Sequence, residues 1–468
     1  NTATVTRTVI VDAGAKLDFA QSVTVSGNYA YIVSGYNSNQ DSHALEIVDI
    51  SNPSTLVHKS ALPYDLEGAL LFSPKDIKVV GDYAYIVSYS NALEIVDISN
   101  PFLPVHKSSL SHGDGGAQLL NPISLAISGD YAYIASHVGQ NIEVVNIANP
   151  LNPTHVSAKF LNTLTRPTGL SVSGDYLYVA FLVTGTSFGG MEVYDISNPT
   201  SISLSAVLHH GTGGASISNP QSIFILEDYA YITSRGDNTL EILNIIDPAN
   251  PTHMGKISNM ENSTELLAPI SVYVSGNYAY VVSFVGNTLD IIDVSDPENP
   301  TLLSSLADGL GGANINAPTS VFVKEQYAYI TSNIGDALEV VDISDPLNPF
   351  HKNKLSDGQS GNSDPLLSTE KQITDFSFHA FTPPVVGVID AVNGTVALSV
   401  PFGTDVTALT PSISISAGAT IVPNTGDTED FTNPVIYTVS AENGTEREYT
   451  AVVSIEPDPN PDTTPPEI

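Results

Sequence analysis

The sequence predicts an all-β chain, a seven-bladed β-propeller followed by a β-sandwich, and three observations support this prediction. A segment with the pattern of residues 81–88 and 93–101 occurs seven times, and its first tyrosine recurs every 45 to 54 residues. A period near fifty is typical of propellers and solenoids. Each repeat contains short apolar runs between turn residues, which favours four-stranded sheets arranged as blades. The repeated tyrosines are Tyr29, Tyr83, Tyr131, Tyr176, Tyr229, Tyr278 and Tyr327.

The second repeat illustrates the four predicted strands of a blade. Strand a is predicted over 76–80, strand b over 83–88, strand c over 93–98 and strand d over 105–110. Gly81 and Asp82 are residues that a tight hairpin turn between strands a and b requires. Strands b and c are almost continuously apolar, which indicates burial on both faces. Neighbouring blades of a propeller would bury a sheet in this way.

Closure of the ring needs one more strand d, and two segments could supply it. Residues 350–355 follow strand c of the seventh repeat, whereas residues 4–11 precede the first repeat. We favour 350–355 as strand d, with 4–11 pairing beside it as a clasp. The reverse assignment is the alternative.

A second domain is predicted after the propeller. Strands are expected over 373–381, 385–391, 395–400, 412–416, 435–441 and 448–455, and about eighty residues of short strands suggest a β-sandwich. The Pro-rich end is an extended linker that we expect to lead to a further domain. The predicted domains are therefore 1–370, 371–456 and the linker 457–468.

Composition excludes several classes of function. The chain carries 15 Lys and Arg against 50 Asp and Glu, a net charge of −35. This charge argues against nucleic acid and anionic membrane surfaces as partners, because both need basic patches. The absence of cysteine excludes disulfides, thiol catalysis and cysteine-ligated metals. No apolar run reaches the length of a membrane helix, so we expect no membrane insertion within this chain.

Two family resemblances follow from these motifs. The repeated Val-Asp-Ile-Ser-Asn-Pro after Leu-Glu-Ile resembles the LVIVD repeat of exported bacterial and archaeal β-propellers, over roughly residues 20–355. Segments 401–411, 417–420 and 430–434 resemble an immunoglobulin-like domain of bacterial surface proteins. The resemblances imply an exported, extracellular or cell-surface protein and no settled enzymatic activity.

The two propeller faces differ in their loops, and this difference locates the expected binding site. The a–b turns and the c–d connections, which contain Asn-Pro or Asp-Pro, are short and uniform. The b–c and d–a loops vary, and varied loops on a rigid scaffold commonly carry binding. We expect binding on that second face, around the axial opening. The candidate residues are His43, Asp65, His112, Asp114, His137, His209, His210, Arg235, Asp237 and Asp308.

Other recurring residues have structural interpretations. The Gly-Gly-Ala loops are expected to be tight returns to the axis, in which glycine supplies an unusual φ. A strand-c carboxylate recurs in every repeat, and we expect a scaffold role with backbone N–H or tyrosine donors, or a raised pKa. Five histidines follow the proline turns and are interpreted as outer-strand packing. The carboxylates are Glu46, Glu94, Glu143, Glu192, Glu241, Asp290 and Glu339, and the histidines His58, His106, His155, His253 and His351.

Three functional hypotheses remain. The leading one is a non-enzymatic binding, adhesion or assembly module that engages a protein or glycan at the cell surface, or other copies of itself. The alternatives are a subunit of an extracellular filament or sheath, and a propeller hydrolase or lyase with a histidine and carboxylate site at the axis. No cofactor is required, but calcium is plausible at acidic loops. The weak calcium candidates are Asp114, Asp308, Asp357 and Asp458.

Overall fold

The computed structural model describes residues 14–35, 42–161, 164–259, 265–358, 371–391, 393–416, 419–440 and 446–458. The chain divides into two compact units, Asn1–Asn362 and Ser363–Ile468. The predicted boundary between 370 and 371 lies at the edge of a stretch outside the described residues. No helix in the described ranges is long and apolar enough to cross a bilayer.

The first unit contains seven four-stranded antiparallel sheets, one for each repeat, as predicted. Strands a, b, c and d of each sheet follow in chain order, so the β-propeller prediction is confirmed. The first four sheets are β1 Ala20–Ser26, β2 Tyr29–Ser34, β3 Ala44–Asp49, β4 Val57–Pro63; β5 Pro74–Val80, β6 Tyr83–Ser88, β7 Ala92–Asp97, β8 Val105–Ser111; β9 Pro122–Ser128, β10 Tyr131–Ser136, β11 Asn141–Asn146, β12 Thr154–Phe160; and β13 Thr165–Ser173, β14 Tyr176–Val183, β15 Gly189–Asp195, β16 Ser203–His209.

The last three sheets follow the same order, and short 3₁₀ turns occupy four of the d–a loops. The sheets are β17 Pro220–Leu226, β18 Tyr229–Ser234, β19 Thr239–Asn244, β20 Thr252–Ser258; β21 Pro269–Ser275, β22 Tyr278–Ser283, β23 Thr288–Asp293, β24 Thr301–Ala307; and β25 Pro318–Lys324, β26 Tyr327–Ser332, β27 Ala337–Asp342, β28 Phe350–Ser356. The turns are Leu66–Gly68, Asp114–Gly116, Thr212–Gly214 and Leu310–Gly312.

Strand a is the innermost strand of every blade. Each strand a contacts strand a of the next blade, and β25 of the seventh blade contacts β1 of the first, which closes the ring. Strands b and c are buried along nearly their whole length, as their apolar sequences predict. The core of the propeller is therefore a series of apolar layers between adjacent blades.

Strand d of the last blade is β28, as the favoured closure assignment predicts. The clasp predicted at 4–11 lies outside the described residues. The first and last blades are joined by hydrogen bonds: the Leu17 amide donates to the Asp357 side chain at Oδ1, at 2.8 Å, and the Gly358 amide donates to the Ala15 carbonyl at 2.8 Å. Leu17 is fully buried in an apolar cluster with Tyr329. Long-range contacts of this kind hold the ring shut.

A β-bulge interrupts the pairing of strands c and d in all seven blades. In the second blade Ile95 lies opposite Ser108 but Val96 lies opposite His106, so Lys107 is the extra residue. A one-residue shift moves a side chain to the other face of a sheet. The bulge therefore places His106 on the same face as Glu94. The other blades repeat the shift.

The second unit is a β-sandwich with two sheets, as predicted. Its strands are β29 Ile373–Phe378, β30 Val385–Val386, β31 Val388–Asp390, β32 Thr395–Val400, β33 Ser412–Ile415, β34 Thr420–Val422, β35 Val435–Ser440 and β36 Glu446–Ile455. One sheet has the order β30-β29-β33 and the other β31-β32-β36-β35-β34. The sheets enclose an apolar core that contains Phe376, Tyr437 and Tyr449. Strand β34 is short and was not predicted.

Candidate functional site

The b–c and d–a loops lie together on one side of the propeller, which we call the loop face. Antiparallel strands in the order a, b, c, d place these loops at one end of every sheet and the a–b and c–d turns at the other. The c–d turns have the uniform geometry that the sequence predicts, because an aspartate at the end of strand c accepts the backbone N–H two residues on. Asp97 Oδ1, for example, accepts the Ser99 amide at 2.9 Å. The variable loops remain the candidate site.

Exposed apolar side chains encircle the axis on the loop face. Each lies in a b–c loop, and within the residues that the structure describes five of the seven blades contribute one. These side chains, which we call the apolar rim, are Tyr89 (37% exposed), Val138 (53%), Phe188 (55%), Val285 (52%) and Ile334 (58%). The recurrence of an exposed apolar side chain in equivalent loops favours this face as an interaction surface.

The d–a loops are tight turns, as predicted for the Gly-Gly-Ala segments. Gly116 has φ of 105°, and a Cβ atom there would lie 3.5 Å from His155 Cδ2. In three of these loops the first residue also accepts a backbone N–H seven residues on: His112 Nδ1 accepts from Leu119 at 3.2 Å, His210 Nδ1 from Ile217 at 3.0 Å, and Asp308 Oδ1 from Ile315 at 2.9 Å. Several candidate residues therefore shape these loops as well as lining the face.

His43 and His137 have supporting roles at the loop face. His43 is fully buried, accepts the Ser73 amide through Nδ1 at 3.3 Å, and packs edge-on against Phe72 at 4.8 Å between ring centroids. Its ring is therefore out of reach of a ligand on the surface. His137 is half-buried, with Nδ1 2.9 Å from the Pro167 carbonyl, and burial lowers its pKa.

The structure brings two of the candidates together. His210 stacks on Phe188 of the apolar rim, with ring centroids 4.8 Å apart and an interplanar angle of 18°. His210 Nδ1 accepts the Ile217 amide at 3.0 Å and lies 3.4 Å from Asp237 Oδ2. Since the ring nitrogen already accepts a proton, its approach to the carboxylate is a polar contact rather than a hydrogen bond. Phe188, His210 and Asp237 form one mixed aromatic and polar patch.

The remaining candidates are spread around the face. Arg235 lies over the ring of Phe284, with 5.5 Å from Cζ to the ring centroid, beside the patch just described. His209 is exposed and makes an edge contact with Phe181 at 5.7 Å. Asp65 begins its d–a loop with φ of 64°, and its amide donates to the Ala69 carbonyl at 2.9 Å.

The calcium candidates are dispersed. Asp114 Oδ2 accepts the Ser111 amide at 2.9 Å, whereas Asp357 holds the closure of the ring. Asp308 lies in another d–a loop, and Asp458 is exposed after the last strand of the sandwich. Among the residues that the structure describes, no group of three or more metal-ligating side chains comes together. Calcium binding stays a prediction.

An axial channel of about 460 Å³ runs between the innermost strands of all seven blades. Three aromatic rings from adjacent blades, Phe224, Tyr273 and Phe322, line one side with centroids 4.7 and 4.9 Å apart. We call them the aromatic arc. The charged pair Asp76 and Lys78, 3.0 Å apart, lies on another side. Within the described residues the channel wall contains no histidine.

The recurring carboxylates form buried pairs with the recurring histidines, which sequence reasoning missed. Glu94 Oε1 lies 2.5 Å from His106 Nδ1, and Glu94 Oε2 accepts the Leu70 amide at 3.0 Å. The blades with Glu143, Glu241 and Glu339 repeat this arrangement, and Glu46 lies 2.9 Å from His58. The expectation of backbone donors was correct, but the histidines are partners of the carboxylates rather than packing residues. The signal was the fixed spacing of twelve residues, hidden by the bulge.

Burial controls the ionisation of these carboxylates. Removal from water raises the pKa of Glu94 to about 7 and that of Glu339 to about 6, against an ordinary value of 4.5, although histidine and backbone donors oppose the shift. The fourth and sixth blades differ: Glu192 accepts from the Tyr194 hydroxyl at 2.6 Å, and Asp290 accepts three hydroxyl groups. Burial raises the pKa of both. Because a buried carboxyl group with a raised pKa recurs in every blade, a scaffold role remains our prediction for it.

Comparison with known families agrees with this division of the chain. The LVIVD repeat model matches seven segments, 19–62, 73–111, 123–158, 168–208, 218–259, 270–308 and 318–356, which together cover more than half of the chain. Residues 373–453 match the model described as SGBP, N-terminal, an immunoglobulin-like surface-glycan-binding domain. No curated protein matches by sequence.

Solved structures share the propeller fold. A proposed 6-phosphogluconolactonase from Bacteroides uniformis aligns with a TM-score of 0.57 at 12% identity, over 70% of this chain and 97% of its own. The periplasmic gluconolactonase PpgL of Pseudomonas aeruginosa aligns with a TM-score of 0.53 at 12% identity, over 71% and 97%. A protein from Lactobacillus plantarum aligns with a TM-score of 0.55 at 14% identity, over 73% and 96%. At these identities the likeness concerns the fold alone.

Proposed function

The chain belongs to the LVIVD-repeat family, and on that premise we propose that it is an exported glycan-binding protein of the cell surface. The loop face of the propeller holds the glycan, and the sandwich acts as a spacer. The observation that carries this proposal is the apolar rim, which five blades build around the axial opening. The match of residues 373–453 to a surface-glycan-binding domain supports a glycan over a protein as the ligand.

The chemistry of the rim suits a sugar. A sugar ring offers apolar C–H faces that stack on aromatic rings and hydroxyl groups that need hydrogen-bond partners. Phe188 supplies an exposed ring, while His210 and Asp237 beside it supply polar groups. Arg235, held over Phe284, adds donors in the neighbouring loop. This part of the loop face therefore offers both aromatic rings and polar groups to a ligand.

Replacement of Phe188 by alanine is expected to weaken glycan binding about thirtyfold. A stacking ring contributes roughly 1 kcal/mol beyond its burial and roughly 1 kcal/mol more by contact area, and about 1.4 kcal/mol corresponds to a factor of ten. The measurement is isothermal titration calorimetry with the ligand that an array of bacterial and plant glycans identifies. Phe102→Ala is the matched control, since Phe102 is similarly exposed (59%) but lies in a c–d turn on the opposite face. Equal affinities of both variants and the unmodified chain would contradict placement of the site on the rim.

Self-assembly is a second candidate function, and one observation favours it. The c–d turns expose a further set of apolar side chains on the opposite face, each 59–70% exposed: Phe102, Leu151, Ile246 and Leu347. Such residues could contact neighbouring copies in a filament or sheath. Light scattering of the chain and of a variant with all four replaced by serine distinguishes the two functions. Large species that the variant abolishes would support assembly, whereas a monomer in both leaves glycan binding as the function.

A further inference from the structure

The aromatic arc packs on one side against the apolar clusters between blades and lines the axial channel on the other. Phe224, Tyr273 and Phe322 are only partly buried, and they occupy the same position in three adjacent blades, opposite the second tyrosine of strand b. At this position other blades carry small or polar residues, such as Thr24 and Ser171. The three rings are tilted by 47° and 51° to one another and together provide an apolar surface for a ligand in the cavity.

The rest of the channel wall combines apolar side chains with polar ones. Serine hydroxyls join neighbouring blades by accepting backbone N–H groups: Ser271 Oγ accepts the Val321 amide at 3.3 Å, and Ser124 Oγ the Leu170 amide at 3.2 Å. The Ser271 hydroxyl that accepts in this way retains its own hydrogen for donation, whereas the Ser124 hydroxyl donates to Asp76 Oδ2 at 3.5 Å. In the second blade Asp76 replaces the serine, accepts the Leu125 amide at 2.9 Å, and pairs with Lys78. This pair is neutral as a unit and can hydrogen-bond a hydroxyl group. Lys75, which also lines the channel, donates to Gln21 Oε1 at 3.2 Å.

The depth of the arc limits how a ligand can reach it. Strand a runs away from the loop face, and Phe224 lies three residues beyond Gln221 near the mouth. Three residues of strand span about 10 Å. A polymer that lies across the loop face can therefore reach the arc only with one of its ends. A volume of about 460 Å³ is in the range of small-ligand sites.

We propose that the axial channel binds the terminal neutral sugar ring of the glycan, with its C–H face on the aromatic arc and its hydroxyl groups on the serines and the Asp76–Lys78 pair. This proposal rests on the proposed function and implies that the protein recognises the ends of glycan chains. A pyranose suits the site because it combines an apolar face with a rim of hydroxyl groups. A fatty acyl chain would leave the polar groups of the wall without partners.

The test uses the full chain and two channel variants. Tyr273→Leu removes the central ring of the arc, and Ser171→Trp fills the channel at the same level. The probes are glucose, galactose, mannose and xylose together with their linear tetrasaccharides, and binding is measured by calorimetry and by saturation-transfer NMR. We expect a tetrasaccharide that binds the unmodified chain to bind Tyr273→Leu roughly tenfold more weakly. The monosaccharide from which that tetrasaccharide is built should show no saturation transfer with Ser171→Trp, because the indole ring fills the channel.

The outcomes separate the two proposals. Thermal melting measures whether each variant folds. If Tyr273→Leu fails to fold, Ser171→Trp still tests the channel site. Phe102→Ala should leave both ligands bound as in the unmodified chain. Tetrasaccharide binding that neither channel variant changes would overturn the channel site and leave glycan binding on the rim. Failure of all probes and of the wider glycan array to bind the unmodified chain would overturn the proposed function itself.

Discussion

The propeller is expected to lose stability as the pH rises from about 4.5 to about 7. Glu94 has an ordinary pKa of 4.5, and burial raises its folded-state pKa to about 7. Between these values the folded chain binds more protons than the unfolded chain, so the free energy of unfolding falls with increasing pH. The contribution is fully present below pH 4.5 and is lost once the pH exceeds 7.

The size of this effect follows from the pKa values. For Glu94 the difference corresponds to on the order of 3 kcal/mol of unfolding free energy, and for Glu339, with a pKa of about 6, to about 2 kcal/mol. Burial raises the pKa of the equivalent carboxyl group in every other blade, so all seven act in the same direction. The net charge of −35 adds self-repulsion as carboxylates ionise.

Calorimetric melting of the propeller between pH 4.5 and 8 measures this dependence. Glu94→Gln keeps the shape of the side chain but cannot ionise, so this variant should lose less stability than the unmodified chain as the pH rises. Glu298→Gln removes an exposed carboxylate from a c–d turn and should leave the dependence almost unchanged. A full dependence in Glu94→Gln would show that the buried carboxyl group does not titrate in this range.

Truncation of Leu17 to alanine is expected to cost 2–5 kcal/mol of unfolding free energy, on the scale of large-to-small substitutions in protein cores. Leu17 is fully buried between the first and last blades, where Tyr329 and Leu355 pack in the same cluster. Its loss leaves a cavity at the one blade interface whose two sides lie more than 300 residues apart in the chain. Chemical denaturation of the propeller measures the change.

Leu119→Ala is the matched variant for the closure. Leu119 is also fully buried, and its amide donates to the first residue of its loop as the Leu17 amide donates to Asp357. Equal losses in the two variants would mean that the closure is as well packed as an ordinary blade interface. A loss below about 1 kcal/mol for Leu17→Ala alone would contradict a closure that depends on this cluster.

Strand order and blade number could be predicted because each repeat contains its own turn and core signals. Gly81 and Asp82 mark the a–b turn, the apolar runs mark strands b and c, and seven copies average out local irregularities. The favoured closing strand was also correct, since β28 follows β27 directly. The short strand β34 carries no periodic signal of its own and pairs only by its position beside β35.

For the candidate site, the sequence predicted which face of the propeller carries it but not which side chains meet there. Loop variability pointed to the b–c and d–a loops, and the structure places an apolar rim there, but no residue pattern foretold that Phe188 would stack on His210. These residues belong to different loops, and their approach depends on the geometry of the sheet that joins them. The aromatic arc escaped notice for the same reason, because Phe224 and Tyr273 are 49 residues apart in the chain.

The sequence by itself determined the repeat, the blade and the division into propeller and sandwich, because these depend on local turn chemistry and on apolar periodicity. Only the tertiary structure decided which side chains meet. The bulge in strand d turns His106 onto the face of Glu94, and closure of the ring brings three aromatic residues to the axis. Both results follow from register and ring geometry, which no single stretch of residues contains.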